Sequence, residues 1–300
     1  MVVGFLEDRS CSVALCGNSV LVGVEENVHL LSRVNLEEVC VCNGGGGLVN
    51  RLSRISSDVV YYSTNSGRVG FVKLSGSCDV SIDEIFTKTA IDSDVHPSGH
   101  LAAVLFVGDT SEFVLMDPTR GSVVGEVTLG GSGEPNSLRV VDSSQIAVAS
   151  SVVSLFDVRT SQSKKGIPTT VLTGTAGGVC YTSLDSDGAH SIVSGDSSGG
   201  VWRWDLRAAD EPRNLHAHTG AVLASKAAGG AVACSSADGT VSVWSSEERK
   251  KKKEFLGDFS SLKRSFAEGS GTALGVDIEG TDIAYVTDTG IVVLSEFSTW

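Results

Sequence analysis

The stretch that decides the fold reads Ala228-Gly-Gly-Ala-Val-Ala-Cys-Ser-Ser-Ala-Asp-Gly-Thr-Val-Ser-Val-Trp244. The residues on either side of Asp238-Gly239 are mostly small or β-branched, and the β-branched ones favour strands. Asp-Gly is a dipeptide that forms two-residue hairpin turns. The stretch therefore predicts two antiparallel strands joined by a tight turn.

Six further copies of this turn–strand–turn–strand pattern recur along the chain. They are Gly17–Leu31, Ser56–Val72, His96–Asp117, Val141–Asp157, Asp185–Asp205 and Glu279–Leu294. The first strands of the seven pairs start near residues 20, 59, 101, 145, 191, 231 and 282, and the spacing of about 40 to 50 residues is close to the roughly 40–45 residues of a propeller blade. Each unit leaves room for two more strands. We predict an all-β, seven-bladed β-propeller that fills residues 1–300 as a single domain.

The two ends of the chain predict how the ring closes. The last unit ends after Ile291–Ser295 and lacks an outer strand, whereas Val2–Leu6 is a β-prone run ahead of the first unit. We expect this N-terminal strand to complete the last blade, because pairing removes an exposed sheet edge.

Two other stretches are predicted to be loops. Gly44–Gly47 lacks the following Lys and Ser or Thr of a phosphate-binding loop, so it reads as a connection between blades one and two. Residues 246–264 are charged and read as the longest loop between blades. Within them, Arg249, Lys250, Lys251, Lys252 and Lys253 form a basic run, which is either an import signal or docking patch or simply a solvated loop.

Composition narrows the classes of function. The net charge of −13 argues against direct nucleic-acid binding. The seven cysteines contain no Cys-x-x-Cys pair and read as small buried thiols in a reducing compartment, with no zinc site. Neither a signal peptide nor an apolar run of membrane-helix length is present, which favours a soluble intracellular protein without membrane insertion.

The quoted residues resemble the WD-repeat family of propellers. Asp205 follows Trp204, and Phe156-Asp157 holds the same place one blade earlier. The resemblance implies a hydrogen-bonded structural tetrad in blade six, formed by His218, Ser235, Asp238 and Trp244. The chain departs from the family pattern in two places. Ala217 precedes His218 where the family has Gly, and Ser198 of blade five stands where blade six has Asp238.

A narrower resemblance suggests a cellular role. Phe156-Asp-Val-Arg159, Trp204-Asp-Leu-Arg207 and the terminal repeat are similar to the small WD-repeat nucleoporins of the Y-shaped outer-ring subcomplex of the nuclear pore. This resemblance implies a non-catalytic scaffold at the nuclear envelope that binds other subunits of a large complex and serves transport of proteins and mRNA. It implies no cofactor and no small-molecule substrate; a cytoplasmic location stays open.

Other functions remain as alternatives. Substrate receptors of cullin–RING ubiquitin ligases have a similar Asp-x-Arg ending, in which Arg159 and Arg207 would dock on the ligase adaptor. A receptor for peroxisomal targeting peptides is a third reading and predicts an acidic groove on one face. Catalysis is disfavoured, because none of the six histidines sits in a nucleophile motif such as Gly-x-Ser-x-Gly in a strand–turn–helix setting.

Overall fold

A computed structural model describes residues 1–6, 10–74, 79–86, 88–130, 133–160, 165–174, 178–188, 190–207, 212–215, 218–245, 262–267 and 271–296. In these residues, 28 β-strands form seven antiparallel sheets of four strands each. The first strands of neighbouring sheets contact one another around the full circle. The molecule is therefore a seven-bladed β-propeller, as predicted.

Each blade is built outward from the central channel. The first strands line the channel and are β2 (Ser10–Cys16), β6 (Val49–Arg54), β10 (Ala90–Val95), β14 (Ser137–Val140), β18 (Tyr181–Ser186), β22 (Val222–Ala228) and β26 (Ala273–Glu279). The second strands are β3 (Ser19–Val24), β7 (Val59–Thr64), β11 (Ala102–Phe106), β15 (Gln145–Ala149), β19 (Ser191–Asp196), β23 (Ala231–Ser236) and β27 (Asp282–Thr287).

The outer half of each blade holds two more strands. The third strands are β4 (Asn27–Ser32), β8 (Arg68–Lys73), β12 (Glu112–Asp117), β16 (Val153–Asp157), β20 (Val201–Asp205), β24 (Thr240–Ser245) and β28 (Ile291–Glu296). The outermost strands are β5 (Glu38–Asn43), β9 (Asp79–Ile85), β13 (Ser122–Thr128), β17 (Thr170–Leu172), β21 (Arg213–Asn214), β25 (Leu262–Ala267) and β1 (Val2–Phe5). The repeated strand pairs of the sequence are the second and third strands of each blade.

The N-terminal strand closes the ring. β1 is the outermost strand of blade seven and pairs antiparallel with β28, with Val2 opposite Leu294 and Phe5 opposite Ile291. This confirms the prediction from the chain ends. Arg33 of blade one reinforces the junction, because its Nε and Nη2 lie 2.9 and 2.6 Å from Asp282 Oδ2 of blade seven.

The hydrophobic core is divided among the blade interfaces. Each of the seven interfaces holds one cluster of buried apolar side chains contributed by both blades. The middle strands are therefore buried on both faces, and β11 is buried at all five positions. Such strands read as continuous apolar runs rather than as alternating ones. Between blades three and four, for example, the rings of Phe113 and Phe156 meet edge to face at 5.4 Å.

Gly195 marks a close approach of two blades. A Cβ atom at this position would lie 2.2 Å from Val222 Cγ1 of the next blade. Only glycine leaves the space that the side chain of Val222 occupies.

Two predictions need correction. Residues 262–264 belong to β25, and β25 pairs with β24 of the same blade. Residues 246–261 thus connect two strands of blade six in sequence, not two blades; they lie outside the described residues, as does the basic run 249–253. The reading of all cysteines as thiols is also wrong for Cys42, which is disulfide-bonded, whereas Cys11, Cys16, Cys40, Cys180 and Cys234 are thiols.

Candidate functional site

The central channel is lined by polar and charged side chains of the first strands. The side chains at corresponding positions of blades three to seven alternate in charge: Asp94, Arg139, Asp185, Lys226 and Asp277. Three of these positions bind the backbone of the next blade. Asp94 Oδ2 accepts from Val140 N at 3.0 Å, and the carboxylates of Asp185 and Asp277 accept from Ala227 N and Leu15 N, both at 2.7 Å.

The two cations connect the carboxylates of neighbouring blades. Arg139 Nε lies 3.2 Å from Asp185 Oδ1, and its Nη1 lies 3.1 Å from Asp92 Oδ2. Lys226 Nζ lies 3.5 Å from Asp277 Oδ1 and 4.0 Å from Asp185 Oδ2. Burial opposes ionisation of Asp92, but the charges of Arg139 and Arg51 lower its pKa below the usual range.

Serine hydroxyls complete the circle through blades one and two. Ser12 Oγ accepts from Leu52 N at 2.9 Å, and Ser53 Oγ donates to Asp94 Oδ1 at 3.0 Å. A chain of polar contacts, here called the polar girdle, therefore crosses all seven blade interfaces around a cavity of about 160 Å³. Because its charged groups bind one another and the backbone, the girdle fixes the blades. Among the described residues, no group of three metal-ligating side chains is placed to hold a metal ion.

The predicted tetrad of blade six is only partly formed. His218 Nδ1 lies 2.9 Å from Thr240 Oγ1 and 3.6 Å from Asp238 Oδ1. Asp238 Oδ1 accepts from Thr240 Oγ1 at 2.6 Å, and Asp238 Oδ2 accepts from Thr219 N at 2.8 Å. Burial lowers the pKa of His218, and it opposes ionisation of Asp238, whose pKa is nevertheless lowered by hydrogen bonds from Thr240 and Thr219.

Ser235 is not part of this network, so its assignment to a tetrad is wrong. Successive side chains of a strand point to opposite faces. Trp244 lies opposite Val232 and packs with Cys234 at the interface with blade five, so Ser235 faces the other way. Its Oγ is buried without a hydrogen bond in the described part of the chain. Thr240, which directly follows the Asp-Gly turn, supplies the hydroxyl instead.

Blade five has a turn carboxylate that the sequence analysis did not find. Asp196, two residues before Ser198, accepts from Trp202 Nε1 at 2.6 Å. Its other oxygen accepts from Ser198 Oγ at 2.7 Å and from Gly200 N at 2.9 Å. Burial opposes ionisation, yet these hydrogen bonds lower the pKa of Asp196. The turn of blade five is therefore tied by a carboxylate that comes two positions earlier than in blade six.

The two arginines predicted to dock a partner lie at corresponding turns of blades four and five. Arg159 follows β16, and its Nε and Nη2 donate to the two oxygens of Asp157 at 2.9 and 2.6 Å. Arg207 follows β20 and binds Asp205 in the same way, at 3.1 and 3.0 Å. Hydrogen bonds from the arginines lower the pKa of both carboxyl groups.

In each pair the arginine is exposed to solvent, whereas the aspartate is largely buried. The side chains of Arg159 and Arg207 are 72% and 45% exposed, against 16% and 12% for Asp157 and Asp205. A two-point hydrogen bond fixes the guanidinium plane. The two turns therefore present oriented guanidinium groups on one face of the ring.

Two grooves open on the rim beside blade four. The groove between blades four and five, here the 4/5 groove, measures about 550 Å³ and includes Leu172, Trp204, Leu206, Pro212 and Arg207 among its lining residues. The groove between blades three and four, here the 3/4 groove, measures about 380 Å³ and is lined in part by Leu129, Pro135, Phe156, Pro168 and Val171. The short outer strand β17 separates the two.

Comparisons with known proteins identify the fold and no family. No family model matches the chain, and no curated protein matches it. Among solved structures, the chain is similar to the computationally designed Ika8 protein, with a TM-score of 0.72 and 13% sequence identity over 97% of both chains. The chain has a β-propeller fold. At this level of identity the likeness concerns the fold alone.

A further observation concerns membrane-spanning helices. Within the ranges that it describes, no helix is long and apolar enough to cross a bilayer.

Proposed function

We propose that this propeller is a rigid platform for protein–protein contacts, with a docking surface on the rim of blades four and five. The observation that carries the proposal is the pair of oriented guanidinium groups of Arg159 and Arg207, of which Arg207 lines the 4/5 groove. Arginine is enriched among the residues that dominate interface energies. Side chains that are already held lose less conformational freedom on binding.

The proposed assembly is the outer ring of the nuclear pore, in which the chain would be a structural subunit. This part of the proposal rests on the WD-repeat resemblance of Phe156-Asp-Val-Arg159 and Trp204-Asp-Leu-Arg207. The polar girdle supports a structural role, because it joins every blade to the next and holds the rim turns in fixed positions.

Purification of the tagged chain from native cells tests both parts. We expect outer-ring nucleoporins in the co-purified set and their loss from the double variant Arg159→Ala/Arg207→Ala. Arg120→Ala is the matched control. Arg120 is also exposed at the corresponding turn of blade three, but its Nε is 3.6 Å from Asp117 Oδ2 and it lines neither the 3/4 groove nor the 4/5 groove. A co-purified set without nucleoporins contradicts the nuclear pore assignment, and equal recovery by all variants contradicts the docking surface.

A substrate receptor of a cullin–RING ligase is the second candidate. It is favoured by the exposure of Arg159 and Arg207 at corresponding turns of adjacent blades. Binding of the purified chain to the ligase adaptor, measured with and without the double substitution, decides between the two candidates. Adaptor binding that requires both arginines supports the ligase role.

A further inference from the structure

The outer strand of blade four leaves an edge open. β17 has three residues, which pair with β16 through Leu172 opposite Val153, Val171 opposite Ser154 and Thr170 opposite Leu155. It is the last strand in its sheet, so no described strand pairs with its outer side. An open strand edge is a template for pairing with another chain.

The two faces of β17 look into different grooves. Thr170 and Leu172 line the 4/5 groove. Val171 is half exposed and contributes to the walls of both grooves, lying beside Ser154 and Phe156 in the 3/4 groove. A strand added along β17 would point its side chains alternately toward the two grooves, because successive residues of a strand face opposite ways.

The residues that line the grooves determine which side chains an added strand must have. Apolar side chains suit both grooves, since Leu172, Trp204 and Leu206 line one and Phe156 and Val171 the other. At the turn that follows β20, the 4/5 groove presents the guanidinium of Arg207, with Asp205 largely covered behind it. A carboxylate on the added strand complements this exposed cation.

We propose that β17 accepts an extended peptide segment of a partner protein as a fifth strand of blade four. The segment pairs antiparallel with β17, places apolar side chains alternately in the 4/5 and 3/4 grooves, and directs an acidic side chain to Arg207. Main-chain hydrogen bonds then provide affinity and the grooves provide specificity. This inference rests on the proposed platform function and specifies the chemistry of the partner segment that the platform binds.

Selection from a phage-displayed library of random peptides against the full chain tests the peptide chemistry. We expect enriched sequences with alternating apolar residues followed by Asp or Glu. Enrichment of sequences without this alternation or without an acidic residue would overturn the proposal, and so would the absence of enrichment.

Fluorescence anisotropy of a selected peptide then tests the site. Val171→Asp should weaken binding by about tenfold or more, as should Arg207→Ala. Val124→Asp should leave it unchanged. Val124 is the matched control because it is 64% exposed on the outer strand β13, against 50% for Val171. Equal binding by all three variants overturns the placement.

N-methylation of single peptide amides tests the strand geometry. Every second N-methyl group should reduce affinity, because alternate N–H groups of an added strand face β17. Uniform losses along the peptide contradict strand addition. The two proposals can fail separately: partners that depend on Arg159 and Arg207 but not on Val171 leave the platform standing without the added strand.

Discussion

Arg139 Nε of blade four lies 3.2 Å from Asp185 Oδ1 of blade five, and both side chains are buried. The same guanidinium also binds Asp92 of blade three. Arg139 thus connects three consecutive blades at the wall of the channel. Burial favours the neutral form, but the carboxylates of Asp92, Asp94 and Asp185 raise the pKa of Arg139.

Replacing this arginine should destabilise the whole ring. Arg139→Met leaves Asp92 and Asp185 buried without their shared cation, and we expect the free energy of unfolding to fall by about 3–5 kcal/mol. Urea denaturation followed by circular dichroism measures the loss. Arg120→Ala, which removes an exposed arginine, should change it by less than about 0.5 kcal/mol. Equal stability of the two variants would show that the girdle does not hold the blades together.

Gly195 should not tolerate a methyl group. The Cβ of Gly195→Ala meets Val222 of blade six at 2.2 Å, and overpacking of this kind costs about 1–3 kcal/mol. Gly125→Ala is the control, because its Cβ finds only Leu115 Cδ1 at 3.8 Å. Thermal unfolding of both variants should show a lowered Tm for Gly195→Ala alone.

Loss of the turn carboxylate in blade five should be costly. Asp196→Ala removes the acceptor of Trp202 Nε1 and of two turn N–H groups, and we expect a loss of about 1–3 kcal/mol. Ser198→Ala removes one donor to the same carboxylate and should cost less. Chemical denaturation measures both losses, and the near-ultraviolet circular dichroism of Trp202 reports its released indole. A larger loss for Ser198→Ala would contradict the assignment.

His218 should make stability depend on pH. Burial lowers its folded-state pKa below the ordinary 6.5, so the unfolded chain takes up a proton before the folded one does. The stabilisation that neutral His218 provides is fully present above its unfolded-state pKa and is lost as the pH falls through its folded-state pKa. We expect the free energy of unfolding to decline below about pH 6.5, with a shallower decline in His218→Asn. The exposed His100, replaced in the same way, should leave the decline unchanged.

Removal of residues 1–6 should open blade seven. The deletion exposes the edge of β28 and uncovers the cluster against which Val2 and Leu6 pack. We expect a lower Tm and self-association through the open edge. A synthetic peptide of residues 1–6 should raise the Tm again in proportion to the logarithm of its concentration, because it binds only the folded ring. A deletion variant with unchanged Tm would show that the strand is dispensable.

The sequence predicted the strands better than the contacts between blades. The second strands begin at Ser19, Val59, Ala102, Gln145, Ser191, Ala231 and Asp282, close to the predicted starts. Their apolar runs and turn residues are local signals. The first strands carry Asp, Arg, Lys and Ser because their partners lie in the next blade, about one repeat further along the chain.

In the candidate site too, features that depend on local sequence could be predicted and features that depend on contacts between blades could not. Arg159 and Arg207 were found because each stands two residues after an aspartate with which it makes a local bond. The grooves beside β17 arise from the spacing of separate blades, and a three-residue strand leaves little pattern to recognise. Ser235 lies on the wrong face of β23 for the tetrad, because successive side chains of a strand point to opposite faces.

Ring closure also imposes an order on biosynthesis. Val2 pairs with Leu294, so β1 finds its neighbour only after the remaining strands of the propeller have been translated. At about 5–20 residues per second, this delay is roughly 15–60 s. During that time the apolar side chains of Val2 and Leu6 lack the blade that will cover them. Pairing of β1 with β28 is therefore among the last contacts of the ring that synthesis allows.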